Sequence, residues 1–268
     1  MKYYKEEIKG VKSDDVLLGE YYHVWSPESI QKFWMIWANN AHLRQQFYPR
    51  EYFVNFFRQV SAYLSDAECI VDVGCGSGTV LSVLEELGLG RSLIGIDLSE
   101  ESISPLRRKY KGNQNFSFKV GNIRRLPLED NICDVVTCTE VLEHLFPEDF
   151  EQGLSEVSRV LVTGGYFVAT VPLKEKVRFV VCPECHTIFT PHQHMLFEFT
   201  EEYLDDKLGE HDLKLIRFFY PVNVTRPDSF IKHVIKNRIL IPLFPRIAQR
   251  FFPVAGVTGF VAQKKDGK

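Results

Sequence analysis

The sequence predicts an α/β protein built on a doubly wound, mostly parallel sheet. Three observations lead to this fold class. Short apolar runs rich in β-branched residues indicate buried strands, amphipathic helical patterns separate those runs, and a glycine-rich turn connects the first strand to a helix. Strands that alternate with helices are typical of parallel sheets. A chain of 268 residues is long enough for one large domain or for a domain with a cap.

Composition narrows the classes of function. The chain is 45% hydrophobic and 25% charged, which is ordinary for a globular protein, and its net charge of −3 gives no general footprint for nucleic acid, so we expect no DNA partner. We expect neither a membrane span, which needs roughly 18 apolar residues, nor a signal peptide. The six cysteines do not form a secreted disulfide framework, so we expect a reducing, cytoplasmic setting.

The glycine-rich turn lies within residues 71–79. Its glycines are spaced Gly74-x-Gly76-x-Gly78, and Asp72 stands at the end of the preceding strand. Glycine tolerates positive φ and leaves no Cβ between the backbone and a ligand, while the following helix start offers free N–H groups. A dinucleotide site would show Gly-x-Gly-x-x-Gly instead. The pattern predicts a nucleotide-like ligand here, and an ordinary strand-to-helix turn is the alternative.

A second acid closes the next predicted strand. Asp97 follows an apolar run and precedes Ser99, which is expected to cap a helix. It comes about 20 residues after the glycine turn, the separation at which an acid accepts hydrogen bonds from both ribose hydroxyls of a nucleotide. The alternative is that Asp97 is only a charge near a helix N-terminus.

These two segments resemble motif I and the second motif of the class I S-adenosylmethionine (SAM)-dependent methyltransferases. The matching residues are Val71-Asp72-Val73-Gly74-Cys75-Gly76-Ser77-Gly78 and Gly95-Ile96-Asp97-Leu98-Ser99. The resemblance covers roughly residues 67–172 strongly and the rest weakly. It implies the Rossmann-like class I methyltransferase fold, with a seven-stranded, mostly parallel sheet and an antiparallel last strand, and it implies SAM as the cofactor.

The resemblance also implies which residues contact SAM. In the family, an acid or amide after the third strand holds the adenine amine, and the next apolar residue covers the ring. Asn122 and Ile123 occupy those positions here, with Asn122 where family members often have Asp. The expected SAM-binding residues are Asp72, Gly74, Cys75, Gly76, Gly78, Asp97, Leu98, Asn122, Ile123 and Thr139.

The segment Glu140-Val141-Leu142-Glu143-His144 follows the fourth predicted strand and resembles small-molecule methyltransferases, including quinone O-methyltransferases. On a helix, Glu140 and His144 would share a face. An imidazole titrates near neutral pH and can act as general base on a hydroxyl, so His144 is the candidate base, with Glu140 and Glu143 beside it. Two alternatives remain open. These residues could only brace the start of a helix, or they could hold a divalent metal.

A Cys-Pro-Glu-Cys turn at Cys182 and Cys185 is the least generic pattern, and His192 and His194 follow it closely. Two thiolates and two imidazoles can complete a tetrahedral zinc site. We therefore expect a structural zinc knuckle with these four ligands. Some class I methyltransferases carry a similar Cys-Pro-x-Cys-Gly insertion, but His186 stands where glycine is usual, which leaves the third and fourth ligands open.

Two alternatives to zinc follow from the same residues. The cysteines could form a free dithiol. His192 or His194 could instead reach the substrate as a base, or join the acidic residues and His144 at a metal.

The chain is expected to divide into an aromatic-rich N-terminal helical cap (1–66) and a methyltransferase domain (67–268) with the knuckle insertion at 173–199. Most aromatic residues of the cap should pack its helices onto the sheet. Some of them could instead line the substrate pocket, and the candidates are Tyr21, Tyr22, Trp25 and Trp37. Residues 230–253 mix cations with large apolar side chains, which indicates either a surface helix or peripheral contact with a membrane or lipid-linked acceptor.

The resemblance implies methyl transfer from SAM to a small-molecule acceptor of the sugar, quinone or lipid-linked class. O-methylation with His144 as base is the expected form. The alternatives are an RNA or protein methyltransferase and a catalytically silent SAM-binding interaction module.

Overall fold

A computed structural model describes most of the chain. The described residues are 26–44, 49–172, 180–189, 199–221 and 257–266. The expectations for Tyr21, Tyr22, Trp25, His192, His194 and residues 230–253 lie outside these ranges. Among the described helices, none is both long enough and apolar enough to cross a membrane.

The helices and strands follow the predicted alternation. The α-helices are α1 (Pro27–Asn39), α2 (Ala41–Arg44), α3 (Arg50–Val60), α4 (Thr79–Glu86), α5 (Glu100–Lys109), α6 (Pro147–Val160) and α7 (Glu201–Glu210). The strands are β1 (Cys69–Val73), β2 (Ser92–Asp97), β3 (Phe116–Val120), β4 (Cys133–Thr139), β5 (Leu161–Pro172), β6 (Val180–Val181), β7 (Ile188–Phe189), β8 (Leu213–Phe219) and β9 (Val257–Lys264). Short 3-10 turns span Ser61–Tyr63 and Leu142–His144.

Seven strands form one sheet in the order β3-β2-β1-β4-β5-β9-β8. The pairs among β1 to β5 are parallel, and β9 is antiparallel to both of its neighbours. The predicted α/β fold with an antiparallel last strand is therefore confirmed. The strand order reverses between β1 and β4, and the crevice at such a reversal is where open α/β sheets bind ligands.

Helices cover both faces of the sheet and bury two apolar clusters. One face packs against α6 and α7 through residues such as Phe150 and Leu204. The other face packs against α3, α4 and α5 through residues such as Phe56, Leu81 and Ile103. The two clusters hold the sheet between two helical layers.

Helix α3 contributes to this covering layer although it belongs to the N-terminal segment. The ring of Phe56 stacks on Phe219 at 5.8 Å, and Arg217 Nη1 donates to the backbone oxygen of Gln59 at 2.7 Å. The proposed division between a cap (1–66) and a domain (67–268) stays a prediction.

Side chains cap three of the described helices, and these include the cap predicted at Ser99. The side chains of Ser26, Ser99 and Thr200 each accept a hydrogen bond from a backbone N–H in the first turn of α1, α5 and α7, respectively. Such caps satisfy N–H groups that have no partner within the helix.

Candidate active site

The glycine turn connects β1 to α4 at the point where the strand order reverses. All three of its glycines have positive φ: 76° at Gly74, 49° at Gly76 and 77° at Gly78. A methyl group added at Gly78 would lie 2.8 Å from Leu106 Cδ2, and one added at Gly74 would collide with Val141. At Gly76 it would meet nothing within 4 Å. Gly74 and Gly78 therefore serve packing, whereas Gly76 faces open space.

Asp97 ties this glycine turn to the end of β2. Its Oδ2 accepts a hydrogen bond from the Gly76 N–H at 2.9 Å, and its Oδ1 accepts one from the Ser99 N–H at 2.9 Å. Burial raises the pKa of Asp97, and these two N–H donors oppose that effect. Each carboxylate oxygen can accept a further bond, so hydroxyls of a ligand can still be bound. The structure thus brings together the two segments that the sequence paired.

Asp72 lies beneath the same turn and is 1% exposed. Its Oδ1 accepts a hydrogen bond from Thr137 Oγ1 at 2.7 Å, while Oδ2 has no hydrogen-bond partner among the described residues. Burial raises the pKa of Asp72 to about 7, with the Thr137 bond opposing the shift and the charge of Asp97 adding to it. A buried polar atom without a partner costs about 1–3 kcal/mol, which a donor on a bound ligand would offset.

Three further predicted SAM-binding residues, Cys75, Leu98 and Thr139, lie in the glycine turn, directly after β2 and at the end of β4, respectively, and they differ in exposure. The Cys75 side chain is buried, and burial raises the pKa of its thiol, so the turn offers only the Cys75 backbone. Leu98 is 40% exposed beside Asp97. Thr139 ends β4 opposite Thr170 in β5.

Asn122 and Ile123 follow β3 and point to different surroundings. Asn122 is exposed, and its Oδ1 accepts a hydrogen bond from the Arg124 N–H at 2.9 Å. Ile123 is 7% exposed and lies against Gly153 of α6, whose missing side chain leaves room for it. The adenine contacts assigned to both residues stay predictions.

The segment 140–144 does not form the α-helix assumed from its sequence. The prediction that Glu140 and His144 share a helical face is therefore wrong. Glu140 has a φ of 55°, a left-handed conformation. Its N–H donates to the Thr170 oxygen at 3.1 Å, which extends the β4–β5 contact by one residue. A 3-10 turn then carries Leu142–His144, and α6 begins only at Pro147.

His144 nevertheless lies beside a carboxylate and an aromatic ring. Its Nε2 is 3.8 Å from Glu143 Oε1, with the two side chains 12% and 1% exposed. The indole of Trp34 packs edge to face on the imidazole, with ring centroids 4.7 Å apart. His144 therefore sits at a largely enclosed, aromatic end of the crevice.

Sequence reasoning named Trp37 as a wall residue and missed Trp34. Both belong to an aromatic cluster on α1 in which Trp34 contacts Phe33 at 5.1 Å and Trp37 at 6.2 Å. Helix α1 in turn contacts α5. The spacing of three residues between the tryptophans places them on one side of a helix, and this signal could have identified Trp34.

The Cys182–Cys185 turn closes the small hairpin of β6 and β7. The Cys182 N–H donates to the Thr187 oxygen at 2.8 Å, and the His186 N–H donates to the Cys182 oxygen at 2.9 Å. His186 has a φ of 58°, the conformation that glycine adopts most easily. The Cys185 thiol is exposed and donates to Thr187 Oγ1 at 3.2 Å, and bonding to Thr187 lowers the Cys185 pKa to about 7.

A glycine turn and an acid that share a hydrogen bond at the reversal point of a Rossmann-like sheet are typical of nucleotide-binding α/β domains. Residues 71–169 match the protein family described as "Methyltransferase domain". This stretch of the chain is therefore similar to methyltransferase domains, and the proteins that resemble the chain include one named as a probable SAM-dependent methyltransferase.

Three similar proteins illustrate the range of these relatives. A Mycolicibacterium smegmatis protein named "Probable S-adenosylmethionine-dependent methyltransferase" is 34% identical over 103 residues, covering 38% of this chain and 37% of the relative. Demethylmenaquinone methyltransferase of Shouchella clausii is 34% identical, covering 41% and 49%. A Burkholderia thailandensis 1,6-didemethyltoxoflavin-N1-methyltransferase, solved with S-adenosylhomocysteine, has a TM-score of 0.60 at 15% identity, covering 91% and 92%. The matched stretch thus spans less than half the length of the two curated relatives.

Proposed function

We propose that this protein is a SAM-dependent methyltransferase that acts on a small-molecule acceptor. The observation that carries the proposal is the hydrogen bond from the Gly76 N–H to Asp97, at a turn where Gly76 faces open space. That geometry lets a nucleoside approach the backbone at Gly76, where the Asp97 carboxylate can accept hydrogen bonds from the ribose hydroxyls. The family match over residues 71–169 supports the same activity.

The residues around the turn fit SAM. Asp97 would accept from the ribose hydroxyls, and the exposed side chain of Leu98 would contact the adenine ring. The unpartnered Oδ2 of Asp72 suits the ammonium group of the amino-acid part of SAM. SAM supplies a methyl group on a positively charged sulfur that leaves as a neutral thioether, so the protein mainly has to align the acceptor with that methyl group.

His144 is the proposed base for an acceptor hydroxyl. It would take the hydroxyl proton as the oxygen attacks the methyl carbon, and the buried carboxyl of Glu143, 3.8 Å away, would stabilise the imidazolium that results. The indole of Trp34 lies beside His144 and offers a flat apolar surface on which a sugar or quinone ring can pack. This supports a small acceptor of the sugar, quinone or lipid-linked class.

Binding and turnover test the proposal separately. Calorimetric titration with SAM and S-adenosylhomocysteine should give saturable binding, and a screen with radiolabelled SAM against pooled metabolite, lipid and RNA fractions should label a metabolite or lipid. Label in the RNA fraction, or in added protein, would favour a macromolecular substrate instead. Binding without transfer to any fraction would favour a silent SAM-binding module.

A structural zinc ion at Cys182 and Cys185 is a further part of the proposal, with His192 and His194 as the remaining ligands. The tight turn between the cysteines and the lowered pKa of Cys185 support it, because zinc binds thiolates. Protein purified without chelator should contain one zinc ion per chain, and Cys182→Ser should remove it. A zinc-free wild-type protein would contradict this assignment.

Two broader expectations also belong to the proposal. Contact of residues 230–253 with a membrane or lipid-linked acceptor predicts co-sedimentation with anionic vesicles, which a charge-removing change such as Lys232→Gln together with Lys236→Gln would weaken. A cytoplasmic location is supported by the six free cysteines.

A further inference from the structure

The connection between β3 and β4 carries two of the proposed SAM contacts. Residues 121–132 run from one strand to the other without an α-helix of their own. At its start, the Gly121 N–H donates to the backbone oxygen of Asp97 at 2.9 Å, so this connection begins beside the acid proposed to bind ribose. Asn122 and Ile123 follow directly. We refer to residues 121–132 as the adenine connection.

The later part of the adenine connection borders a cavity of about 750 Å³. Residues of the sheet and of the connection line it together, among them Ile94, Lys119, Leu128 and Ile132. The buried Leu126 side chain and a bond of 3.0 Å from Lys119 Nζ to the Pro127 backbone oxygen hold part of this connection to the sheet. Contacts to its backbone from α6 provide a second anchor.

Two side chains of α6 supply such an anchor. The Leu126 N–H donates to Glu156 Oε2 at 2.7 Å, and Glu156 is 8% exposed. Arg159 donates from Nη2 to the Leu126 oxygen at 3.2 Å and from Nη1 to the Leu128 oxygen at 2.9 Å. Both polar groups of the Leu126 peptide backbone are thus held by one pair of charged side chains.

Glu156 and Arg159 also hold each other. Arg159 Nε donates to Glu156 Oε1 at 2.7 Å, and Nη2 donates to Oε2 at 2.8 Å. This forked contact has the two-bond geometry that a guanidinium forms with a carboxylate and that an ammonium cannot reproduce. The pair is therefore a rigid support rather than a loose surface ion pair.

A short turn at residues 122–125 connects the anchored Leu126 to the proposed SAM contact Asn122. The Arg125 N–H donates to the Asn122 oxygen at 2.9 Å, and the Arg124 N–H donates to Asn122 Oδ1 at 2.9 Å. Fixing Leu126 therefore fixes the turn that orients the Asn122 carboxamide.

We propose that Glu156 and Arg159 are positioning residues for the methyl donor. They hold the backbone of the adenine connection in the position in which Asn122 and Ile123 can contact the adenine ring. The inference rests on the proposed function. Neither side chain contacts the donor; both act through the backbone of Leu126 and Leu128.

The test compares donor affinity with stability. Arg159→Ala, Arg159→Lys and Glu156→Gln are titrated with SAM and S-adenosylhomocysteine well below the Tm of each variant. Arg159→Ala leaves the backbone oxygens of Leu126 and Leu128 without these donors, so we expect the Kd of both ligands to rise roughly tenfold. Glu156→Gln keeps an oxygen for the Leu126 N–H but loses the ion pair with Arg159, so its Kd should rise less. We expect a smaller rise for Arg159→Lys, which keeps the charge but loses the fork. In turnover assays, the KM for SAM should rise while kcat changes little.

Two control variants separate positioning from general destabilisation. Glu151→Gln lies on the same helix and breaks contacts with His211 and Lys207, each 2.9 Å, that connect α6 to α7. It should lower the Tm without changing the Kd. Asp130→Asn removes only the exposed partner of Arg159, so it too should leave the Kd unchanged.

The outcomes distinguish this inference from the function on which it rests. Unchanged donor Kd in Arg159→Ala and Glu156→Gln, with wild-type binding intact, overturns the positioning role alone. A wild-type protein that binds neither ligand overturns the proposed function and this inference with it. If Arg159→Ala does not fold, Arg159→Lys and Glu156→Gln still give the comparison.

Discussion

The indole of Trp34 packs edge to face against the imidazole of His144, with ring centroids 4.7 Å apart. This contact joins α1 to the turn that follows β4, so the proposed base is held by a residue more than a hundred positions earlier in the chain. Edge-to-face ring pairs contribute about 0.5–1.5 kcal/mol beyond their buried area, which is enough to favour one orientation of the imidazole.

Loss of the Trp34 ring should weaken use of the acceptor without affecting the donor. Trp34→Ala is expected to lower kcat/KM for the acceptor by roughly tenfold, whereas Trp34→Phe, which keeps an aromatic ring, should lower it less. The Kd for SAM should not change. Ile36→Ala, at a side chain 49% exposed on the same helix, is the matched control and should behave as wild type. An equal loss in the Ile36 variant would contradict a specific role for Trp34.

Removal of the proposed base should affect the chemical step. His144→Ala is expected to lower kcat by about 10²- to 10⁴-fold with a hydroxyl acceptor, the range typical of general-base catalysis. Titration with SAM should give the wild-type Kd, because His144 is not among the residues proposed to contact the donor. Single-turnover measurements with labelled SAM separate this step from product release. Turnover equal to wild type would show that His144 is not the base.

Two glycines of the same turn should respond differently to an added methyl group. Gly76→Ala and Gly74→Ala both force alanine into positive φ, which costs roughly 1–2 kcal/mol. Only at Gly74 would the methyl also collide with Val141, whereas at Gly76 it enters open space. We expect Gly74→Ala to lower the Tm strongly. Gly76→Ala should lower the Tm by only a few degrees. It should raise the Kd for SAM, because the methyl occupies the space proposed for the donor.

Thermal denaturation and calorimetric titration of both variants check this pair. A wild-type SAM affinity in Gly76→Ala would mean that the open space beside Gly76 is not where the donor binds.

Asp72 should make the stability of the ligand-free protein depend on pH. Burial raises its pKa from 3.8 to about 7, so the folded state holds a proton that the unfolded state releases between those values. The free energy of unfolding should therefore fall as pH rises from about 4 to about 7. Asp72→Asn keeps an oxygen for the Thr137 hydroxyl but carries no charge, so it should remove this part of the pH dependence.

The same substitution should carry a functional penalty. With no carboxylate to meet an ammonium group, Asp72→Asn is expected to bind SAM more weakly while being as stable as wild type or more stable at pH 8. Tm measurements across the pH range, with and without SAM, follow both effects. A parallel pH dependence in wild type and variant would assign the titration to other groups.

Local patterns were sufficient for the donor end of the site. Asp97 and the glycine turn could be paired from spacing alone, because parallel strands bring their carboxyl ends to one edge whatever lies between them. Long-range contacts decided the rest. The bond from the Glu140 N–H to the Thr170 oxygen overrides the helical tendency of the residues after β4. Ile123 packs into the core because Gly153 of α6 leaves room for it, and no local pattern near Ile123 indicates this.

The stacking of Phe56 on Phe219 limits how far the chain can be truncated at its N-terminal side. A chain shortened to begin at residue 67 would keep every described strand of the sheet but lose α3, one of the three helices that cover one of its faces. Phe219 and the sheet around Gly259 would then meet water, and an uncovered apolar sheet face invites aggregation. A shortened chain that keeps the Phe56–Phe219 contact therefore has to begin before Arg50, where α3 starts.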